Sequence, residues 1–126
     1  MQSVLIVEDS NVVLKILRHI AGRSLDFNLV YAVSRKEALA KLKEHTNWLA
    51  AIVDLNLPDA PHSELVDDVL APRIPTIVLT GSMDDEKRDS LTRRGIVDYV
   101  LKEGRYSYQY AVNLVNRLHR NKKIKV

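Results

Sequence analysis

Five short apolar runs alternate with five polar or amphipathic stretches along the chain. The runs lie at about 4–7, 28–32, 48–53, 76–79 and 96–101, and most are rich in β-branched residues. Such continuous runs are typical of strands that are buried on both faces of a parallel sheet. The pattern therefore predicts five buried strands.

The intervening stretches carry helix signals. The first has apolar residues at helical spacing from Val12 to Ile20, with Gly22 as its predicted stop. Residues 34–37 form a capping box for the second helix, which we expect to end near His45. Three more helices are predicted at 63–70, 84–94 and 106–120; the fourth is so polar that we expect it to be exposed and loosely held. Alternating strands and helices predict a parallel sheet with right-handed crossovers on both faces.

Composition narrows the class of protein. The 126 residues fit one domain, with 46% hydrophobic and 28% charged residues, which are ordinary values for a soluble fold. No cysteine is present, so disulfides and thiolate metal sites are excluded. No apolar run approaches the ~20 residues of a membrane span, and the start lacks the features of a signal peptide. A net charge of +3 is too small to indicate nucleic acid. We therefore expect a cytoplasmic protein that contacts neither membrane nor nucleic acid directly.

Chemically active side chains follow four of the five runs directly. They are Glu8 and Asp9, then Asp54, then Thr80, then Lys102. In a parallel sheet the carboxyl ends of all strands lie at one edge, where ligands of open α/β sheets bind. The second run ends without such a group, so strands one, three, four and five are predicted to share a site centred on Asp54.

The residue types at this edge are chemically coherent. Three carboxylates at one site repel each other and need a cation, and oxygen ligands favour a hard ion such as Mg²⁺. We expect Asp9 and Asp54 to bind it directly, Glu8 directly or through water, and the backbone carbonyl of Asn56 to complete the protein's share.

With the ion in place, Asp54 is a nucleophile that can take a phosphoryl group as an acyl phosphate. Lys102 would supply a second positive charge to the phosphoryl oxygens, and Thr80 a hydrogen bond.

Together these positions resemble the response-regulator receiver domain (CheY-like) of two-component signalling. Glu8 and Asp9 match the acidic pair, Asp54 the phosphoacceptor, Thr80 the switch hydroxyl and Lys102 the lysine of that family. Pro58, four residues after the acceptor, and Tyr99, at the aromatic switch position, also match. The residue after the lysine departs from the family pattern, because Glu103 stands where a proline is usual.

The resemblance implies a flavodoxin-like, doubly wound sheet of five strands in the order 2-1-3-4-5. It implies that a histidine kinase or phosphotransfer protein donates the phosphoryl group in a magnesium-dependent reaction. The domain would be a regulatory module that catalyses only its own phosphorylation and dephosphorylation. Its output surface would be the fourth helix, fifth strand and fifth helix, through which a homodimer can also form.

The last six residues are read separately from the receiver domain at 1–120. Residues 121–126 are interpreted as a linker or as the start of a following domain, because 124–126 resemble the opening of the first strand. The last helix runs into this tail without a Pro/Gly-rich linker. In this respect the chain resembles receivers that are fused to a second receiver and a diguanylate cyclase. We therefore expect a C-terminal output domain or second receiver in the full-length protein.

Three other functions fit parts of the sequence. An aspartyl-phosphate hydrolase relative usually has a second carboxylate two residues after the nucleophile, where this chain has Asn56. A flavin- or nucleotide-binding domain would have a glycine-rich loop after the first strand, which is absent here. A receiver-like interaction module that is never phosphorylated is opposed by the intact acidic residues, although Glu103 leaves it open.

Overall fold

The structure, a computed structural model, describes residues 1–22 and 26–124. Its strands are β1 (Ser3–Val7), β2 (Asn28–Ala32), β3 (Trp48–Asp54), β4 (Thr76–Thr80) and β5 (Asp98–Leu101). Its helices are α1 (Asn11–Ala21), α2 (Arg35–Glu44), α3 (Glu64–Leu70), α4 (Asp85–Arg93) and α5 (Arg105–Ile124).

All five strands pair in parallel, in the order β2-β1-β3-β4-β5. The predicted flavodoxin-like fold and its strand order are therefore confirmed. Every residue of β1 and β4 is buried, as expected for strands that are covered by helices on both faces.

Each face of the sheet packs against its own group of helices. One apolar cluster joins the sheet to α2, α3 and α4, through residues such as Ala38, Val66 and Leu91. The other joins it to α1 and α5, through residues such as Leu17 and Ala111. The reversal of strand order between β1 and β3 separates the two groups and places the loops after these strands side by side.

Several element ends differ from the sequence prediction, and three of these differences have a structural reason. Strand β5 begins at Asp98 rather than at residue 96, because Ile96 and Val97 belong to the turn that follows α4. Helix α3 begins at Glu64, since Ser63 has a left-handed backbone (φ 63°) and makes no side-chain cap. Helix α5 continues past residue 120 to Ile124, and no proline or glycine in 121–124 interrupts it.

The predicted linker thus begins as helix, while residues 125 and 126 lie outside the described residues. The domain boundary at 120 stays a prediction. Within the part of the chain that the structure describes, no helix is both long and apolar enough to cross a membrane.

As expected, α4 is largely exposed. Leu91 is its one buried residue. A hydrogen bond from the Lys87 N–H to the Asp84 carboxylate (3.0 Å) caps its start. Helix α4 is therefore attached to the sheet by little apolar surface, which is typical of an element that opens at low free-energy cost.

Candidate functional site

Three carboxylates meet at the carboxyl edge of the sheet. Because β1 and β3 are neighbours with Val7 paired to Val53, the residues that follow them emerge side by side. Glu8, Asp9 and Asp54 each place a carboxylate oxygen within 4.8 Å of the others. Glu8 is completely buried and Asp54 is 3% exposed, whereas Asp9 is exposed. The cluster is thus open to solvent on the side of Asp9.

Lys102 reaches this cluster from the end of β5. Its Nζ lies 2.9 and 3.1 Å from the two carboxylate oxygens of Glu8 and 3.1 Å from Oδ2 of Asp54. Its backbone N–H donates to the Thr80 carbonyl at 2.8 Å, so its backbone is tied to the end of β4. The ammonium group is therefore fixed between two buried carboxylates.

The loop between Lys102 and α5 turns at a glycine rather than at a proline. Gly104 has φ 134°, a conformation that favours glycine. The Glu103 N–H donates to the hydroxyl of Ser107 at 3.2 Å, a bond that proline could not make. The Gly104 carbonyl accepts from the N–H of Ser107 at 3.1 Å, which starts α5. The glycine turn and the two hydrogen bonds to Ser107 therefore join β5 to α5 without a proline.

One ammonium group cannot neutralise three carboxylates, and the pKa values reflect this. Burial, reinforced by the neighbouring Asp54, raises the pKa of Glu8 from 4.5 to about 8. Loss of solvent and the same neighbour raise the pKa of Asp9.

The pKa values of Asp54 and Lys102 move so that both groups stay charged. Burial opposes ionisation of Asp54, but hydrogen bonding with Glu8, the Asn56 N–H and Lys102 outweighs it and holds its pKa below the usual value. Burial likewise opposes the charge on Lys102, but Glu8 and Asp54 outweigh it and raise the pKa of the lysine. The arrangement thus favours an ionised Asp54 beside a protonated Lys102.

Thr80 ends β4 and Tyr99 lies in the neighbouring β5. The Thr80 hydroxyl donates to the Ser82 carbonyl at 2.9 Å and accepts from the Ser82 N–H at 3.3 Å. The Tyr99 ring is buried in the apolar cluster on the α3 and α4 side, and its hydroxyl has no hydrogen-bond partner among the described residues. No described hydrogen bond joins either side chain to the carboxylates.

The loop after β3 adds two further contacts. The Asn56 N–H donates to Oδ1 of Asp54 at 3.0 Å, which orients the carboxylate. Asp59, which the sequence analysis did not single out, accepts from the backbone N–H groups of Arg35 and Lys36 at 2.9 and 3.1 Å. No local pattern signals these contacts, because the partners lie 24 and 23 residues away in the chain.

A family model described as "Response regulator receiver domain" matches residues 4–108. The chain belongs to this family. The receiver domain is thus a regulatory module of two-component signalling, and the resemblance drawn from the strand-end residues is confirmed.

One curated relative is considerably longer than this chain. This relative, protein-glutamate methylesterase/protein-glutamine glutaminase 3 of Paramagnetospirillum magneticum (strain ATCC 700264 / AMB-1), is 30% identical over 126 residues. That match covers 98% of this chain and 35% of the relative. The receiver domain therefore spans about a third of that enzyme's length.

Two solved structures are similar over 96% of this chain. One, a putative two-component system response regulator/GGDEF domain protein, is 33% identical with a TM-score of 0.83. The other, a probable protein of the same description, is 35% identical with a TM-score of 0.84. The chain spans 49% and 48% of their lengths, about half of each.

Proposed function

We propose that this receiver domain accepts a phosphoryl group on Asp54, in a magnesium-dependent reaction, from a histidine kinase or phosphotransfer protein. The observation that carries the proposal is the position of Lys102, whose Nζ lies 3.1 Å from Asp54 within a cluster of three carboxylates. Membership of the receiver family supports the same chemistry.

The carboxylates suit a hard divalent cation. Their oxygens lie within 4.8 Å of one another, and the exposed Asp9 leaves a path for an ion to enter. Asp9 and Asp54 would bind Mg²⁺ directly, Glu8 directly or through water, and the Asn56 backbone carbonyl would complete the protein's ligands. Bound there, the ion supplies positive charge that offsets both the carboxylates and the incoming phosphoryl group.

The protein's own groups perform the transfer around that charge. A carboxylate oxygen of Asp54 forms a bond to phosphorus as the bond from phosphorus to the donor's imidazole nitrogen breaks, which gives an acyl phosphate. The lowered pKa of Asp54 keeps this nucleophile ionised. Lys102, whose raised pKa keeps it protonated, pairs with a phosphoryl oxygen. The Thr80 hydroxyl gives up its hydrogen bond to the Ser82 carbonyl and donates to another phosphoryl oxygen instead.

We further propose that this exchange switches the surface formed by α4, β5 and α5. Movement of Thr80 opens space into which Tyr99 rotates, and the weakly attached α4 follows, which shifts an equilibrium between two states. A homodimer through the same surface is part of this proposal. Its charged residues include Lys87, Arg88, Arg93, Arg94, Asp98, Arg105 and Arg117.

The full-length protein is proposed to carry an output domain or a second receiver after this one. The two solved structures described as GGDEF-domain proteins are about twice the length of this chain, which covers 49% and 48% of them. A diguanylate cyclase is the output that this similarity favours.

The test is incubation with a small phosphodonor and Mg²⁺, followed by mass spectrometry of the intact protein. We expect the mass of one phosphoryl group to be added to the wild type and to Asp98→Asn, a matched control on β5, but not to Asp54→Asn. The backbone amide NMR shifts of α4 should also change on phosphorylation of the wild type, but not in Asp54→Asn. If the wild type gained no mass, the chain would be an interaction module that is not phosphorylated.

A further inference from the structure

The loop that follows the phosphoacceptor is built as a compact turn. Leu55, Leu57 and Ala60 are buried, and the Ala60 N–H donates to the Leu57 carbonyl at 3.1 Å. Pro58 and Asp59 are therefore the two central residues of the turn, and both are exposed. Proline presets the backbone for this position of a turn. The turn thus presents the Asp59 carboxylate outward from a rigid base.

That carboxylate binds the first turn of α2. Its Oδ1 accepts from the Arg35 N–H at 2.9 Å and its Oδ2 from the Lys36 N–H at 3.1 Å. The first N–H groups of a helix have no partner within the helix, and a negative charge there is favourable. These hydrogen bonds lower the pKa of Asp59, so the carboxylate is ionised at neutral pH.

Helix α2 already has a cap of its own. The Ser34 hydroxyl accepts from the Glu37 N–H at 3.1 Å, as the sequence predicts. What Asp59 adds is a connection between the start of α2 and a loop 24 residues further along the chain. Arg35 extends this connection, because its guanidinium pairs with both carboxylate oxygens of Asp68 in α3, at 2.8 and 3.2 Å. The start of α2 therefore binds the middle of the loop through Asp59, and it binds α3, which follows the loop, through Asp68.

The other end of the loop contacts the phosphoacceptor. Asn56 lies three residues before Asp59, and its N–H donates to Oδ1 of Asp54 at 3.0 Å. The backbone carbonyl of Asn56 is the one proposed Mg²⁺ ligand that comes from the main chain rather than from a side chain. Between Asn56 and Asp59 lie only Leu57, which is buried, and Pro58, whose backbone is stiff. The short, stiff connection transmits the position of Asp59 to Asn56.

We propose that Asp59 is a positioning residue for the phosphoacceptor site. By clamping the loop to α2, it holds the Asn56 N–H against Asp54 and holds the Asn56 carbonyl where it binds the divalent ion. This inference rests on the proposed function. It assigns a role to a residue that touches neither the ion nor the phosphoryl group.

The test measures the Kd of Mg²⁺ alone by calorimetry, with no phosphodonor. We expect Asp59→Ala to raise this Kd by about three- to tenfold, since partners that orient ligands cost about 10-fold or more when lost and this one acts at one remove. Asp59→Asn, which keeps one acceptor oxygen, should lie between Asp59→Ala and the wild type. The NMR shift of the Asn56 amide should move in the same order.

Two matched controls separate positioning from general loss of stability or charge. Ser34→Ala removes the other cap of the same helix end but leaves the loop clamped. Glu44→Gln removes the same charge from an exposed position at the opposite end of α2, away from the loop. Both should bind Mg²⁺ within about twofold of the wild type, because neither releases Asn56. Equal losses in Ser34→Ala and Asp59→Ala would overturn the inference, because helix stability alone would then account for both.

The remaining outcomes also decide between the two proposals. If the wild type bound Mg²⁺ and Asp59→Ala bound it equally tightly, the positioning role would be wrong while the proposed function would stand. If the wild type bound no Mg²⁺, the metal site would be wrong and the inference would fall with it. If the wild type bound Mg²⁺ but took no phosphoryl group, the proposed function would fail on its own.

Discussion

The two halves of the site are in different states of assembly. Glu8 and Asp54 are buried, and the half-buried Lys102 already contacts both of them at 2.9–3.1 Å. Thr80 and Tyr99 are equally buried, but the hydroxyl of one is bonded to its own loop and that of the other has no described partner. One half is preorganised around its charges, and the other is free to rearrange.

The difference follows from the cost of burial for each kind of group. An isolated buried charge costs so much free energy that it must find an opposite charge in every state of the protein. A hydroxyl costs far less, so a bond to a nearby carbonyl satisfies Thr80 and the buried phenol of Tyr99 is tolerated without one. Charges therefore fix the acceptor half, while the neutral half can exchange partners at low cost. The following substitutions test this comparison.

The largest effect is expected from Lys102→Met. The substitution removes the cation that lies between Glu8 and Asp54, so two buried carboxylates face each other. At pH 8.5 without metal, we expect the free energy of unfolding to fall by about 2–4 kcal/mol in urea denaturation. The phosphorylation rate should fall by about 100-fold or more, because a charge that stabilises the transition state is lost.

Lys43→Met, at an exposed position of α2, is the control and should change the free energy of unfolding by less than about 0.5 kcal/mol. If the Lys102→Met protein were as stable and as fast as the wild type, the ion pairs would not be what assembles the acceptor half.

A smaller, pH-dependent effect is expected from Glu8. Its pKa is about 8 in the folded protein and 4.5 when unperturbed. Between these values the folded protein holds a proton that the unfolded chain has lost. Its contribution to stability is therefore complete below pH 4.5 and is lost as the pH rises through about 8. The pKa of Asp54 is shifted down and that of Lys102 up, so neither group titrates in this window.

We expect the metal-free wild type to lose stability relative to Glu8→Gln between pH 5 and 8, by at most about 1.4 kcal/mol per pH unit. Urea denaturation at several pH values measures the slope. Saturating Mg²⁺ should reduce it, because the bound ion favours the ionised carboxylate. A wild type and a glutamine variant with parallel pH profiles would contradict the raised pKa.

The smallest effect is expected from Tyr99→Phe. The substitution removes a buried hydroxyl that has no described partner, so the free energy of unfolding should rise by about 1 kcal/mol in thermal denaturation. Tyr108→Phe, an equally buried tyrosine on the other face of the sheet, is the comparison. A Tyr99→Phe protein that is clearly less stable would show that the phenol is bonded, and the neutral half would then be as fixed as the charged half.

Much of this architecture could be predicted because the local signals agree with the fold. Short apolar runs such as 76–79 are typical of strands buried on both faces, and the capping box at Ser34 marks the start of α2 to within a residue. The apolar run predicts a start of β5 two residues too early, because apolar character does not distinguish the end of a turn from the start of a strand. The sequence predicts too early an end for α5, since no breaker marks it.

The sequence by itself determined the strands, their parallel pairing and the residues that stand at their carboxyl ends. Hydrophobic periodicity and strand–helix alternation are local properties, and the edge at which Glu8, Asp9, Asp54, Thr80 and Lys102 lie follows from them. Their resemblance to a receiver site came from the combination of residue types.

Only the tertiary structure decided which of these side chains touch. Lys102 pairs with Glu8 from 94 residues away, and Asp59 reaches α2 across 24 residues. The hydroxyl of Thr80 turns to Ser82 rather than to the carboxylates. Such choices depend on distances and burial between elements that are remote in the chain, because the free energy of a polar contact is set by the surroundings that the whole fold creates.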